Sequence, residues 1–339
     1  MISLVIFIWV KQVVRSALVG VDSGATKTEA VGIDMASQVC VFTSESSSNP
    51  SVVGIEKAST VIASAIEKVL AGLSYEKPTP YLVAVGTAGV VSKNYADALR
   101  KRLAELAGIP VDRVVVFEDV IAAHASVFLL DDGVVGILGT GSCVYGDYAG
   151  HSIRVGGWGH LLGDEGSGYR LGLKSLREVL ECLDSLKECS DLATLIARSM
   201  GFSTASDVLS YVYYSENPKT AVASVATAVM KAYKSGDKTA ARIVEGEIEE
   251  FAKQVAAAIR KIGVYSPKVG FTGSVYRENR ELLKHLLKKK LEELLGLEVE
   301  IFEQRVRTSC GAVIAGLKLR GDSATLARAL NTIEKCCLY

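Results

Sequence analysis

The segment Val19-Gly-Val-Asp22-Ser-Gly24-Ala-Thr26-Lys27-Thr28 joins a short apolar run to a second one through a tight turn. Glycine lets backbone N–H groups approach a phosphate, and consecutive turn amides form an anion-binding concavity. Thr26 and Lys27 add a hydroxyl and a positive charge for the same anion, and Asp22 at the strand end is placed to hold Mg²⁺. The alternative is an ordinary hairpin with an incidental aspartate. The segment has neither P-loop nor dinucleotide-fingerprint spacing.

Two further glycine-containing junctions extend this pattern. Gly139-Thr140-Gly141-Ser142 again lies between two predicted strands, and two such hairpins from facing halves can hold one polyphosphate between them. The alternative, two unrelated turns, is less economical. In Gly270-Phe-Thr-Gly273-Ser274 a strand ends in small residues before a helix, which would admit adenine and ribose. Taken alone this last signal is weak, because strand–glycine–helix junctions are common.

The order of strands and helices indicates two related halves. Three short apolar runs separated by turn residues predict a meander of hairpins, and strands and helices then alternate until the pattern restarts at Gly133. The predicted strands are Ala17–Val21, Ala30–Ile33, Val39–Phe42, Tyr81–Val85, Val114–Phe117, Val134–Leu138, Ser142–Asp147, Lys268–Thr272 and Glu298–Phe302. The sequence therefore predicts an α/β architecture with a cleft between its halves.

Composition excludes several classes of function. The chain has 339 residues, 49% of them hydrophobic, which suits two domains that each bury a core. Lys plus Arg (38) equals Asp plus Glu (38), so no overall field attracts nucleic acid or an anionic membrane. Residues 1–10 are apolar but too short to span a bilayer, so we interpret residues 1–16 as an N-terminal extension. A soluble, cytoplasmic protein is expected.

The seven cysteines form no CxxC pair and no zinc-like cluster. An odd number without a framework predicts a reducing compartment and mostly free thiols. Cys182 and Cys189 are interpreted as a core pair that shares a helix face. A disulfide among the C-terminal cysteines stays open if the source is a hyperthermophile.

The segment Gly156-Gly-Trp158-Gly-His160-Leu-Leu-Gly-Asp164-Glu-Gly-Ser-Gly-Tyr169 narrows the interpretation. It resembles the GGWG…GDEGS signature of N-acetylglucosamine kinases and archaeal hexokinases, which are grouped with the BadF/BadG/BcrA/BcrD-type ATPases of the actin-like sugar kinase superfamily. The resemblance implies a two-domain actin-like ATPase fold of the ribonuclease H-like type. It also implies a homodimer and transfer of a phosphoryl group from ATP, with Mg²⁺, to the 6-hydroxyl of a hexose or N-acetylhexosamine. The domains would span residues 17–119 and 120–335, with the last helix, 310–320, packing back towards the first.

The resemblance also implies roles for individual residues. Asp119 matches the catalytic aspartate that accepts the hydroxyl proton, although an aspartate there could simply be a helix N-cap. Asp22 would serve the metal, and the nucleotide would contact Gly24, Thr26, Lys27, Thr140, Gly141, Gly273 and Ser274. The sugar would contact Asn49, Ser142, Trp158, Gly159, His160, Leu161 and Asp164. For Asn49 the alternative is a turn residue before proline, and for Trp158 it is a core side chain.

One departure from the family pattern concerns the sugar. Relatives that prefer N-acetylglucosamine often carry Asn directly after Gly-Thr-Gly-Ser, whereas this chain has Cys143. A thiol cannot make the paired hydrogen bonds of an amide, so the sequence does not name the sugar. Two other functions stay open: an ATPase that activates an iron–sulfur dehydratase or reductase, and a non-catalytic sugar-binding regulator.

Overall fold

The computed structural model describes residues 17–73, 80–89 and 92–337. The proposed N-terminal extension, residues 1–16, lies outside the described residues. Within the described part of the chain, no helix is both long and apolar enough to cross a bilayer.

The first half of the chain forms a five-stranded sheet that contains the first hairpin. Its strands are β1 (Ala17–Ser23), β2 (Lys27–Asp34), β3 (Val39–Ser46), β4 (Leu82–Thr87) and β5 (Val114–Glu118), in the order β3-β2-β1-β4-β5. β1, β2 and β3 pair antiparallel, which confirms the predicted meander, and β4 and β5 add parallel strands beside β1.

Helices cover both faces of this sheet. They are α1 (Pro50–Val53), α2 (Ile55–Gly72), α3 (Lys93–Leu106) and α4 (Asp119–Phe128), with a short 3₁₀ helix at Val111–Arg113. Leu18 belongs to a core cluster with Val313, whereas its neighbour Val19 belongs to a cluster with Ile66 and Leu99. Because successive strand residues point to opposite faces, β1 is buried on both sides.

The second half repeats the same topology. Its strands are β6 (Gly133–Leu138), β7 (Ser142–Tyr148), β8 (His151–Val155), β9 (Lys268–Thr272) and β10 (Glu300–Phe302), in the order β10-β9-β6-β7-β8. Here too the first three strands pair antiparallel and the last two add in parallel. β8 was not predicted from the sequence, because this partly exposed edge strand lacks an apolar pattern.

The second half is mainly helical outside its sheet. Its helices are α5 (Gly168–Leu183), α6 (Asp191–Met200), α7 (Ala205–Tyr213), α8 (Pro218–Ser224), α9 (Ala226–Lys234), α10 (Lys238–Ile262), α11 (Ser274–Glu278) and α12 (Arg280–Leu295). α10 crosses the sheet and buries residues along its whole length, among them Val244, Phe251 and Val255. The glycine-rich segment that follows β8 lies against this helix, so α10 is the support of that loop.

The chain ends with α13 (Thr308–Leu319) and α14 (Ser323–Cys336). α13 packs against β1, β4 and α4, so the last part of the chain lies on the first sheet. The contact with β1 is close: a Cβ atom on Gly20 would lie 2.0 Å from the Ser309 carbonyl oxygen. Any larger residue at position 20 would therefore push α13 away from the strand whose end carries Asp22.

Six of the seven cysteines are paired, so the expectation of mostly free thiols is wrong. The pairs are Cys40–Cys336, Cys182–Cys189 and Cys310–Cys337, and Cys143 is the remaining thiol. The first pair joins residues 296 positions apart, with Cα atoms 6.1 Å apart, because α14 packs beside β3. No spacing rule in the sequence reports such a pair, since only the fold brings the two residues together.

Candidate active site

The turn after β1 and the turn after β6 touch each other between the two sheets. The hydroxyl oxygens of Thr26 and Thr140 lie 2.8 Å apart and share a hydrogen bond. Each turn is closed by the backbone, with the Gly24 amide donating to the Lys27 carbonyl (3.1 Å) and the Gly139 amide donating to the Gly141 carbonyl (2.9 Å). The structure thus brings together the two turns that the sequence predicts as phosphate-binding hairpins.

A cavity of about 220 Å³ opens beside these turns and is lined by Thr26, Thr140 and Ser274. Five further polar residues line it that the sequence reasoning missed: Thr220, Ser224, Thr227, Glu278 and Asn279. The Thr220 hydroxyl is buried and has no hydrogen-bond partner among the described residues, so a ligand in the cavity would find it available. The larger opening near β10, about 520 Å³, contains none of the predicted site residues.

Gly273 is the single residue that connects β9 to α11. Its φ of 100° lies in the region that favours glycine, and a Cβ atom there would lie 2.4 Å from the Leu138 carbonyl oxygen. Glycine therefore lets α11, which starts at Ser274, begin directly beside the second hairpin. This places the predicted adenosine residue Ser274 in the same cavity as Thr140.

Two carboxylates lie at the carboxyl ends of β1 and β5, the two strands that flank β4. Asp22 is near the end of β1, and Asp119 is the first residue of α4 after β5, which leaves Glu118 as the N-cap. Burial, together with the charges of Asp119 and Glu29, raises the pKa of Asp22 to about 7. Burial also raises the pKa of Asp119 to about 6, with Glu118 adding to the rise and Arg154 opposing it. The two carboxylates are thus close enough to repel each other.

Arg154 connects Glu118, the neighbour of Asp119, to the glycine-rich segment, and the sequence reasoning missed it. From β8 its guanidinium donates to Glu118 at 2.6 Å and to the Gly157 carbonyl at 2.7 Å. It also lies 5.4 Å from the centre of the Trp158 ring. A single arginine on an unpredicted edge strand carries no local signal in the sequence. Only the tertiary fold brings Arg154 to Glu118 at the end of β5, one residue before Asp119.

Asn49 is held at the first hairpin, where it is the N-cap of α1 and not the turn residue of the simpler interpretation. Its amide and that of Ser48 donate to the Gly24 carbonyl at 3.2 and 3.3 Å. Its side-chain oxygen accepts the Ser51 amide at 2.9 Å and caps α1. Ser51 in turn donates to the Gly89 carbonyl at 3.2 Å, so the loop after β4 lies against it. Asn49 is buried, with 7% of its surface exposed.

The glycine-rich segment, residues 156–168, is fastened to α10 and β7. Glu247 accepts the Gly166 amide at 2.9 Å, Gln254 donates to the Glu165 carboxylate at 2.6 Å, and Ser142 donates to the Glu165 carbonyl at 2.7 Å. The predicted sugar residue Ser142 therefore supports the loop with its hydroxyl. These three bonds hold the root of a segment that has glycines in the positive-φ region at four positions.

The outer part of this segment reaches solvent. Trp158 is 63% exposed, so the alternative of a core tryptophan is wrong, and Leu161 is 83% exposed. The His160 ring meets the edge of Tyr169 with centroids 5.0 Å apart. Burial lowers the pKa of His160, and the nearby Lys219 ammonium lowers it further. The apolar side chains at the tip are available to cover a ligand in the cleft.

Asp164 is the buried polar group of the segment, and it has a partner. It is 3% exposed with a φ of 63°, and its carboxylate accepts a bond from the Lys219 ammonium at 2.9 Å. Both groups lie beside Gly141 of the second hairpin. The predicted sugar-binding carboxylate thus lies next to the predicted phosphate site.

Cys143, the residue that departs from the family pattern, is buried in the wall between these groups. Burial raises the pKa of its thiol to about 12, so it stays neutral at physiological pH. A Cβ atom on Gly157 would lie 2.7 Å from its sulfur, which shows how tightly the glycine-rich segment packs on it.

Comparison with known proteins gives a consistent picture. The sequence matches the family model described as the BadF/BadG/BcrA/BcrD ATPase family over residues 19–314. It is 28% identical to the N-acetylmuramic acid/N-acetylglucosamine kinase of Clostridium acetobutylicum, covering 88% of this chain and 97% of that protein. It is 26% identical to the N-acetyl-D-glucosamine kinase of Dictyostelium discoideum, covering 89% of this chain and 98% of that protein.

Solved structures resemble the fold. A candidate N-acetylglucosamine kinase from Chromobacterium violaceum superposes with a TM-score of 0.70 at 20% identity, covering 89% of this chain and 99% of that one. A ROK family glucokinase from Streptomyces griseus, solved with glucose and AMPPNP, superposes with a TM-score of 0.58 at 16% identity, covering 90% and 100%. The fold is therefore the actin-like one predicted from the sequence.

Proposed function

The chain belongs to the BadF/BadG/BcrA/BcrD ATPase family, and from that premise we propose that it is an ATP-dependent sugar kinase. It transfers the γ-phosphoryl group to the 6-hydroxyl of a hexose or N-acetylhexosamine. The observation that carries the proposal is the convergence of two phosphate hairpins, in contact through Thr26 and Thr140, with two mutually repelling carboxylates, Asp22 and Asp119. Curated relatives that carry kinase names span nearly the whole chain and support the same class.

Asp119 serves as the base. Its pKa of about 6 leaves it mainly ionised at neutral pH and makes it a better proton acceptor than an ordinary aspartate. The sugar 6-hydroxyl gives its proton to Asp119, the new bond forms between that oxygen and the γ-phosphorus, and the bond from the γ-phosphorus to the β,γ-bridging oxygen breaks. ADP leaves with the electron pair of that bond. Positioning of the two substrates and electrostatic stabilisation of the transition state supply most of the rate enhancement.

The phosphate side is assigned to the two hairpins and α11. The Gly141 backbone amide and the hydroxyls of Thr26 and Thr140 hold the phosphates, with Lys27 adding charge and Gly24 allowing close approach at its turn. Gly273 and Ser274 border the adenosine, together with Thr220 and the other cavity residues. The unpartnered Thr220 hydroxyl is suited to a polar group of the nucleotide.

The acidic residues at the end of β1 fit a divalent cation. Asp22 has a pKa raised to about 7 by burial and by Asp119 and Glu29, and a cation would relieve that repulsion. Asp22 would hold Mg²⁺ directly or through water. When bound with the nucleotide, Mg²⁺ supplies neutralisation of the phosphate charge.

The sugar side is assigned to the first-half loop and the glycine-rich segment. Neutral sugars need convergent donors and acceptors in a pocket from which water is excluded. Buried Asn49 and Asp164 supply these groups from opposite walls, and the exposed Trp158 is placed to cover the ring. The remaining predicted contacts are Ser142, Gly159, His160 and Leu161.

Several finer features stay predictions. We place the two domains at residues 17–119 and 120–335 and expect them to close around both substrates. A homodimer and a cytoplasmic location are likewise expected. We keep both hexoses and N-acetylhexosamines as candidate sugars. The curated relatives are named for N-acetylglucosamine and, in one case, N-acetylmuramic acid, whereas Cys143 replaces the asparagine often found in such enzymes.

The two other functions have less support. An activator of an iron–sulfur enzyme would need accessible cysteines, but Cys182 and Cys189 are paired and Cys143 is buried. A silent sugar-binding regulator would not need a second carboxylate beside Asp22. No observation in the described residues favours either one.

The test is ADP release in a coupled assay with glucose, mannose, glucosamine, N-acetylglucosamine and N-acetylmuramic acid. We expect turnover with at least one sugar, and a 6-phosphate product by mass spectrometry and ³¹P NMR. Asp119→Ala should abolish sugar phosphorylation while ADP binding stays within about twofold of wild type. The matched control, Asp112→Asn, changes an exposed aspartate and should keep full activity. No turnover with any sugar, or full turnover in Asp119→Ala, would reject the assignment.

A further inference from the structure

The ammonium group of Lys219 lies directly over the second phosphate hairpin. A Cβ atom on Gly141 would lie 3.2 Å from the Lys219 nitrogen and 2.8 Å from the Asp164 carboxylate oxygen. The two side chains are joined at 2.9 Å, with the Lys219 side chain 18% and the Asp164 side chain 4% exposed. This ion pair is therefore mostly buried at the tip of a turn built to receive phosphate.

The same lysine borders the nucleotide cavity. It is the second residue of α8, and the next residue, Thr220, lines the cavity with Thr26 and Thr140. Lys219 thus stands between the space assigned to the phosphates and the glycine-rich segment that carries Asp164. One short movement of a flexible lysine side chain would carry its charge from one site to the other.

The lysine that the sequence analysis assigned to the phosphates is less well placed. Lys27 has a side chain that is 52% exposed and is paired with Glu29 at 3.4 Å. Its charge is therefore screened by water, whereas the charge of Lys219 acts in a drier environment. A mostly buried cation exerts a larger effect on the charge of a nearby phosphoryl group.

We propose that Lys219 is a catalytic cation that exchanges Asp164 for the terminal phosphate of ATP, and that this exchange frees the Asp164 carboxylate to accept a sugar hydroxyl. The inference rests on the proposed function. A polyphosphate carries more negative charge than one carboxylate, so bound ATP attracts the ammonium more strongly than Asp164 does. Without nucleotide, Lys219 occupies the carboxylate that the sugar needs. ATP and sugar therefore bind cooperatively through one side chain.

The test measures the affinity for the best sugar of the panel with and without AMPPNP, by isothermal titration calorimetry. Wild type should bind the sugar about tenfold more tightly when AMPPNP is present, a typical size for coupling between two sites. Lys219→Met should lose this coupling, and its kcat should fall about 100-fold. Lys219→Arg should restore part of both. The matched control, Lys234→Met on the exposed side of α9, should behave as wild type.

A structural role is separated from the proposed one by the double variant Asp164→Asn/Lys219→Met. It leaves no buried unpaired charge, so its melting temperature should stay near wild type while turnover stays low. Equal coupling in wild type and Lys219→Met, or wild-type turnover in that variant, would overturn the inference and leave the kinase assignment intact. If wild type phosphorylates no sugar, the proposed function fails. The lysine is then judged by nucleotide binding, where Lys219→Met should weaken AMPPNP and leave ADP unchanged.

Discussion

Thr26 and Thr140 are 114 residues apart in the chain, and their hydroxyl oxygens meet at 2.8 Å. Each belongs to the first turn of its own sheet, and the two sheets share one topology. The contact therefore joins the corresponding turns of the two halves. A phosphate chain bound there can be held from both sides.

Replacing Thr140 with valine should weaken ATP use. The change removes one hydroxyl without altering the size of the side chain, and a hydrogen bond to a charged group contributes about 1.5–3 kcal/mol. We expect kcat/KM for ATP to fall about 10- to 100-fold with an unchanged melting temperature. Thr60→Val, on the exposed face of α2, is the control. Equal values for the two variants would remove Thr140 from the phosphate site.

Arg154 should set the acid limb of the pH–rate profile. Its guanidinium lowers the pKa of Asp119, which burial and Glu118 raise to about 6. Activity should fall as pH drops through that value, because the base becomes protonated. In Arg154→Met the limb should move to higher pH by about one unit, since an opposing charge is lost. Arg154→Lys should restore part of the shift, and an unmoved limb would contradict the role of this pair.

The ionised Asp22 carboxylate should destabilise the ligand-free protein at neutral and alkaline pH. Its pKa is raised from 3.8 to about 7 in the folded state, so the folded protein binds a proton more tightly than the unfolded chain. Stability contributed by this proton is present at low pH and lost as pH rises through about 7. Because Asp22 is partly exposed, we discount the full effect of its pKa shift. Asp22→Asn should then raise the free energy of unfolding by about 1–2 kcal/mol at pH 8. Chemical denaturation without Mg²⁺ at pH 8 and pH 4 tests this, and an equal gain at both would be inconsistent with it.

The disulfides Cys40–Cys336 and Cys310–Cys337 should stabilise the packing of α14 against the first half. Unreduced, denatured protein should show one titratable thiol, Cys143, and fully reduced protein should show seven. The double variant Cys336→Ser/Cys337→Ser should lose about 2–4 kcal/mol per bond in the free energy of unfolding. The Cys182–Cys189 bond joins residues only 7 positions apart. Because this closed loop is short, Cys182→Ser/Cys189→Ser should lose less free energy of unfolding. Seven free thiols in protein purified without reductant would rule out this pairing.

Cys143 should influence the choice of sugar. Its buried neutral thiol cannot offer the paired donor and acceptor of an amide. Cys143→Asn should therefore raise kcat/KM for N-acetylglucosamine relative to glucose by about tenfold. Cys143→Ser, which has a smaller hydroxyl, serves as the comparison. An unchanged ratio in the asparagine variant would show that the acetamido group binds elsewhere.

Much of the fold was predictable because it depends on local patterns. The apolar runs that became β1, β4, β6 and β9 are nearly continuous, as strands buried on both faces require. The unpredicted elements had weaker signals: β8 is a partly exposed edge strand, and α14 follows the helix that the sequence predicts as the last one. The six paired cysteines also lay beyond local reasoning.

The sequence by itself determined the two glycine hairpins, the alternation of strands and helices, and the family, because each is written in neighbouring residues whose backbone preferences and spacing act locally. Only the tertiary structure decided that Lys219 lies on Asp164, that Arg154 lies on Glu118, and that α14 is bound to β3. These partners are separated by tens to hundreds of residues. Their meeting depends on how two sheets and the final helices pack, which is a property of the whole buried core.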